Sequence, residues 1–162
     1  MWQIRELAPD DDLPLVAAFY DEAADYWLLA DRRPPDLQKA RDFFTDCPPG
    51  CDPGRSHRPG LFEDGRLSGL AELSFGFPAP EDAYLGLMIL APRMRGRGAG
   101  RFFLARVTEL ARASGCPRLY LAVLDENARG RAFWLREGFR DTGMFRRDEG
   151  TGHTIRRMVR DL

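Results

Sequence analysis

The chain has 162 residues, 44% hydrophobic and 30% charged, with a formal net charge of −1. That length suits one globular domain, residues 1–162, with a sizeable core, and the composition excludes a disordered or fibrous chain. No apolar run reaches the roughly 18 residues that a membrane span needs, and Met1-Trp2-Gln3-Ile4-Arg5-Glu6 carries no secretory hydrophobic region, so the expected compartment is the cytosol.

Trp2 to Leu7 alternates apolar and polar residues and predicts a first strand. Pro9-Asp10-Asp11-Asp12 marks a helix start, and a helical stretch with breaks runs through Leu13 to Leu29. Pro34-Pro35-Asp36 opens a second helix, to about Phe44. Residues 46–59 read as a Pro/Gly-rich loop. That loop holds Cys47 and Cys51, and His57 follows, but no fourth ligand is evident, so no metal is expected. With Cys116 the cysteine count is odd, which reads as free thiols.

Leu61-Phe62-Glu63 and Leu67 to Phe77 flank Asp64-Gly65, a hairpin signal. After a turn at Pro78 to Asp82, Ala83 to Leu90 is a strand, and Pro92 stops it. Gly98 to Ser114 is an amphipathic helix with Phe103, Val107 and Leu110 on one face. Leu119 to Val123 is a buried-type strand, and Asn127 to Glu137 a short helix ending at Gly138. Phe139 to Arg147 and His153 to Val159 are the last strands. The order is that of an α/β (α+β) sandwich with a mixed sheet.

Charge is uneven along the chain. Residues 1–90 carry 8 basic and 17 acidic side chains, and residues 91–162 carry 16 basic and 8 acidic. The basic part suits an anionic cofactor and the acidic part a cationic co-substrate. Two solvated surfaces that merely balance are an equal alternative. The pattern argues against nucleic acid as the main partner.

The most informative segment joins the Ala83–Leu90 strand to the helix after it: Arg95-Gly96-Arg97-Gly98-Ala99-Gly100. Glycines let the backbone approach an anion, and the free N–H groups and dipole of the next helical turn favour one. Arg93, Arg95, Arg97 and Arg101 add charge around that turn, which points to a pyrophosphate. A P-loop would need Lys then Ser or Thr after the last glycine, where Arg101-Phe102 stands. A dinucleotide fingerprint would need a wider last glycine spacing. An arginine/glycine-rich RNA tail would lack these hydrophobic flanks.

Arg95, Gly98 and Gly100 match an Arg/Gln-x-x-Gly-x-Gly/Ala pattern, and Asn127, Phe133, Gly138 and Phe139 match a second motif about 30 residues on. Together they resemble the acyl-CoA loop and the Asn…Phe-Tyr…Gly-Phe segment of the GNAT acetyltransferase superfamily. Gly130 stands where that family usually has Ala, and Trp134 where it has Tyr. The resemblance implies a GNAT-like fold, a mixed and mostly antiparallel sheet of about seven strands flanked by about four helices. It implies acetyl-CoA as co-substrate, without a metal, and acetyl transfer to a primary amine. The partner is then a small-molecule or peptide amine rather than nucleic acid or membrane, with a homodimer left open. A non-catalytic acyl-CoA-binding or sensing module on the same fold is the alternative, favoured by Trp134.

On this resemblance the backbone of Met88, Ile89 and Leu90 holds the pantetheine arm, with Gly86 as a bulge or close-approach residue. The Leu90 N–H is the oxyanion donor. Arg95, Gly96, Arg97, Gly98, Ala99, Gly100 and Arg101 hold the pyrophosphate. Asn127 bonds the arm, Phe133 packs along it, Trp134 packs at the acyl end, and Arg131 either reaches an adenosine phosphate or lies on the helix surface. Glu72 is the candidate general base; a solvent-facing strand carboxylate is its other reading. Asp25 and Tyr26 are further candidates for the amine pocket. With Trp134 in place of Tyr, Tyr84, Tyr120 or water remains to protonate the leaving thiolate.

Overall fold

In the computed structural model, which describes residues 1–162, the chain begins with strand β1 (Trp2–Glu6) and then turns into helices α1 (Pro9–Glu22), α2 (Ala24–Asp31) and α3 (Leu37–Asp42). Pro9 takes the first helical position of α1, where its missing N–H costs nothing, and Asp10, Asp11 and Asp12 complement the helix dipole. Asp12 is buried, accepts the Ala8 N–H at 2.7 Å, and grips the Arg5 guanidinium at 2.9 and 3.0 Å. Asp12→Ala should therefore lower stability by about 2 kcal/mol, the scale of hydrogen bonds to a charged group. Urea denaturation would measure it.

The helical stretch expected with breaks is two helices, α1 and α2, which brings the helices of the fold to five against the about four expected. The break falls at Ala23, which is fully buried. Glu22, the last residue of α1, is held there by Arg66 at 2.9 Å and Arg93 at 2.8 Å. The Trp27 ring meanwhile folds back onto Tyr20, 4.9 Å between centroids.

Strand β2 (Pro59–Glu63) pairs antiparallel with β1 and with β3 (Arg66–Phe75). Between them Asp64 and Gly65 take φ of 49° and 83°, the two positive angles that a two-residue hairpin turn requires. Strand β4 (Ala83–Leu90) pairs antiparallel with β3, and helix α4 (Ala99–Ala113) crosses over to β5 (Arg118–Leu124), parallel to β4. Helix α5 (Ala128–Arg136) leads to β6 (Arg140–Arg147), and β7 (Thr154–Asp161) returns between β5 and β6. The seven-stranded sheet runs β1-β2-β3-β4-β5-β7-β6. One parallel pair among antiparallel ones is the mixed sheet that the sequence leads one to expect.

The apolar face of α4 buries Phe103, Leu104, Val107 and Ala111, at helical spacing. They join Leu70, Leu73, Leu119, Leu121 and Met158 in one core. No helix is long and apolar enough to cross a membrane.

Candidate active site

Two irregularities in β4 make the site. The first is a bulge. Glu72 faces Leu87 but Leu73 faces Leu85, so Gly86 is an extra residue. A Cβ on Gly86 would lie 2.6 Å from Oε1 of Glu72, so only glycine lets that carboxylate lie across the strand. The second is a splay. The β4–β5 ladder holds from Ala83↔Leu119 to Leu85↔Leu121 and then ends. Beyond it the two parallel strands diverge.

Strand alternation says which peptide groups face the opening. The Ala91 N–H bonds the Ser68 carbonyl at 2.9 Å, and Ile89 stands opposite Leu70. The residues that alternate with them, Met88 and Leu90, must then turn N–H and C=O the other way, toward β5. There the ladder has ended and no strand partner receives them. Of the three residues expected to offer backbone to a ligand, Ile89 therefore spends its peptide groups on β3, and its side chain is buried in the core.

The glycine turn follows at the end of β4. Gly96 and Gly98 have φ of 73° and 81°, and a Cβ at either would meet nothing within 4 Å. Open space above two left-handed glycines is a cradle, not a packing constraint. No side chain caps α4 at Gly98, and its first internal bond is Phe102 N–H to Gly98 C=O at 3.1 Å. The N–H groups of Ala99, Gly100 and Arg101 are thus left without an acceptor at a positive helix end. Gly100 is different: its Cβ would come 3.1 Å from the Phe133 ring and 3.5 Å from Leu90. It lets α5 approach the start of α4.

The turn's arginines are less free than their number suggests. Arg95 pairs with Asp25 at 2.6 Å, Arg97 with Glu63 at 2.7 Å, and Arg93 with Glu22 at 2.8 Å. The acidic first half and basic second half neutralise each other across the fold here. Glu63, gripped by Arg97 and by the Trp2 indole N–H, has its carboxyl held down at about 2. Arg101 stays open, its side chain 83% exposed and 3.9 Å from Glu137. Asp25, tied to Arg95, does not line the cavity described next, whereas Tyr26 does.

A cavity of about 420 Å³ runs from the splay to the N-terminal helices. Its walls include Glu72 and Gly86 on one side, Met88, Asn127 and Trp134 at the splay, and Tyr20, Tyr26 and Trp27 from α1 and α2. Asn127 caps α5, its Oδ1 accepting the Gly130 N–H at 3.0 Å, which leaves its amide nitrogen to donate. Alanine at 130 would put a Cβ 2.5 Å from that nitrogen, so the Asn127 amide would have to shift. Phe133 and Phe139 meet the buried Trp134 edge-on, at 4.9 and 5.4 Å. Arg131 is engaged by Asp141 at 3.3 Å.

Glu72 is not a solvent-facing strand carboxylate: it is only 6% exposed. Burial pushes its carboxyl above the usual carboxylate range; the Ser74 hydroxyl, donating at 2.7 Å, and the Arg58 guanidinium oppose that only in part. Arg58, buried and bonded to the carbonyls of Phe43 and Asp46, has no signal in the sequence. Tyr84 lines the same cavity, its phenol pushed up by burial; Tyr120 does not line it. No group of three His, Cys, Asp or Glu side chains could hold a metal, and all three cysteines are free.

A buried carboxylate, a strand opening with free peptide groups and an uncapped glycine turn thus lie along one strand. The family model of the acetyltransferase (GNAT) family matches residues 16–139. The chain belongs to that family.

Other GNAT proteins share its architecture over the whole length. An acetyltransferase from Thermus thermophilus is 27% identical, with all of this chain and 97% of that chain covered and a TM-score of 0.78. The PaiA N-acetyltransferase from Thermoplasma acidophilum, solved in complex with coenzyme A, is 19% identical with 100% and 99% covered and a TM-score of 0.73. A ribosomal-protein-alanine N-acetyltransferase from Brucella melitensis is 22% identical with 99% of each chain covered and a TM-score of 0.75. No curated protein matches the chain. Membership in the GNAT family makes the protein an acyltransferase.

Proposed function

We propose that residues 1–162 form one cytosolic catalytic domain that moves an acetyl group directly from acetyl-CoA to the primary amine of a small molecule or peptide. The observation that carries this reading is the β4–β5 splay, with the glycine turn at one end and buried Glu72 at the other.

The donor set fits acyl-CoA. The N–H groups of Ala99, Gly100 and Arg101, with the Arg101 guanidinium, would hold the pyrophosphate. Met88 and Leu90 would pair with the pantetheine amides as a missing strand does, and the Asn127 amide would donate to the same arm. The Leu90 N–H would face the thioester carbonyl and stabilise the oxyanion. Bound acetyl-CoA supplies an activated acyl group on a thiol of pKa about 8.5, which leaves readily.

An alkylammonium of pKa about 10.4 is not a nucleophile, and freeing its lone pair at pH 7 costs about 4–5 kcal/mol at ~1.36 per unit. Glu72, raised by burial, is a better base for that proton than an ordinary surface carboxylate. Tyr84, still protonated at neutral pH, can return a proton to the thiolate, the role left empty by Trp134.

The test is coenzyme A release from acetyl-CoA with alanine, tyramine, spermidine and an alanine-led hexapeptide. Turnover of at least one supports the enzyme. Binding of acetyl-CoA with no turnover of any supports the non-catalytic module instead.

Gly98→Val should weaken acetyl-CoA binding about 10-fold or more, the worth of one charge-assisted hydrogen bond. Valine at φ 81° also costs about 1–2 kcal/mol of strain. Gly115→Val, at φ 79° and equally open, carries the same strain at the far end of α4 and should bind normally. Equal affinities in calorimetry would remove the turn from the site.

A further inference from the structure

The Glu72 carboxylate is buried and lines the cavity proposed for the reaction. A proton taken there needs a way out. The overall change, R–NH₃⁺ + CH₃CO–S–CoA → R–NH–CO–CH₃ + CoA–SH + H⁺, leaves one proton over in every turnover.

A path lies behind Glu72. Ser74, two residues on and so on the same strand face, donates its hydroxyl to Oε2 of Glu72 at 2.7 Å. The Ser74 Oγ lies 2.8 Å from the Ser56 Oγ. Ser74 is fully buried, whereas Ser56 is half-buried, on the loop before β2. The loop is pinned there by backbone: His57 and Leu73 exchange both N–H···O bonds at 2.9 Å. Two hydroxyls thus connect a buried carboxyl to a half-buried loop, and neither lines the cavity.

We propose that Ser74 and Ser56 are positioning residues for the base: they hold the Glu72 carboxylate and carry its proton outward. This rests on Glu72 being the general base. In the resting chain Ser56 donates to Ser74 and Ser74 to Glu72. When Glu72 takes the amine proton, both hydroxyls first rotate, so that Glu72 donates to Ser74 Oγ, Ser74 to Ser56 Oγ and Ser56 to water. One proton then moves along each of the three hydrogen bonds, from Glu72 to Ser74, from Ser74 to Ser56 and from Ser56 to water, which returns Glu72 to the carboxylate and both hydroxyls to their resting direction with no atom lost. The other groups facing Glu72 are Arg58, Asp46, Cys47 and Cys51 from the loop side and Tyr84 from β4. None of these is hydrogen-bonded to its carboxylate.

The decisive experiment is the titration of the Glu72 carboxyl by carbon-13 NMR in the intact protein, with Glu72→Gln to assign the signal. Ser74→Ala removes a donor to the ionised form, so its midpoint should rise by about one unit. Ser74→Thr, which keeps the hydroxyl, should bring it back. In turnover with tyramine, Ser56→Ala should lower kcat about 10-fold, a modest share of what proton transfer contributes. It should leave KM for acetyl-CoA unchanged.

An unmoved midpoint in Ser74→Ala, or a full kcat in Ser56→Ala, overturns the relay. A different outcome marks failure of the base itself: Glu72→Gln would turn over like the unaltered protein, whatever the serine variants do.

Discussion

Glu72→Gln is expected to lower kcat/KM with any acceptor amine by about 10²- to 10⁴-fold, the range that general base catalysis contributes. The unaltered protein should also show an acid limb that the variant lacks. Activity requires the ionised carboxylate, so the rate falls as pH drops through the Glu72 value. Burial places that value above the ordinary carboxylate range. The same shift gives a stability signature. A carboxyl raised on folding keeps its full contribution below the unfolded value and loses it as pH rises through the folded one. Glu72→Gln should therefore raise the melting temperature at neutral pH and match the unaltered protein in acid. Lost activity with added stability is the mark of a group kept for chemistry. A variant with an unchanged rate profile would remove Glu72 from the mechanism.

Gly86→Ala is the second large effect, about 100-fold in kcat with the fold intact. A single methyl there lies 2.6 Å from Oε1 of Glu72 and 3.0 Å from its Cδ. Strand geometry does not forbid alanine, so the carboxylate has to swing aside. Misplacing a catalytic group by about 1 Å costs about 10²-fold. The two changes act on one group and should not add: Gly86→Ala made on Glu72→Gln should lose little more. Full additivity would mean that Gly86 matters for the backbone rather than for the base. Circular dichroism and melting curves separate either result from unfolding.

Much of this was legible in the residues because local chemistry decides it. Asp64-Gly65 makes a tight turn, Pro9 followed by acids starts a helix, and Gly96-Arg97-Gly98 before an amphipathic run makes a left-handed turn into an uncapped helix. The strand boundaries all agree within two residues, the hairpin strands included, which start at Pro59 and end at Phe75. What stayed hidden depends on neighbours far away in sequence. Breaks in the first helical stretch were legible, but not their place at Ala23, beside a Glu22 that Arg66 and Arg93 hold from far along the chain. The arginines of the turn look free until Asp25, Glu63 and Glu22 fold over to meet them.

The site shows the same division. Glu72 alternates with Ala71 and Leu73, which fixes its face, but its burial follows from loop residues such as Arg58 lying against the sheet. Ser74 carried a usable signal, because a polar residue two positions from a candidate base shares its face. Ser56 carried none. Its contact follows from the long-range bridge between His57 and Leu73. Likewise the close approach of the Asn127 amide to Gly130 shows only once the helix start is in view.

The central claim is that the β4–β5 opening and the turn at Arg95–Arg101 together hold acetyl-CoA. Calorimetry of the purified protein with acetyl-CoA, and with ADP as control, tests both parts at once. The account predicts binding of acetyl-CoA at least 10-fold tighter than ADP, since only the full molecule reaches Met88 and Leu90. Binding of neither ligand by folded protein would contradict the account, and equal binding of both would leave the opening between the strands without its role.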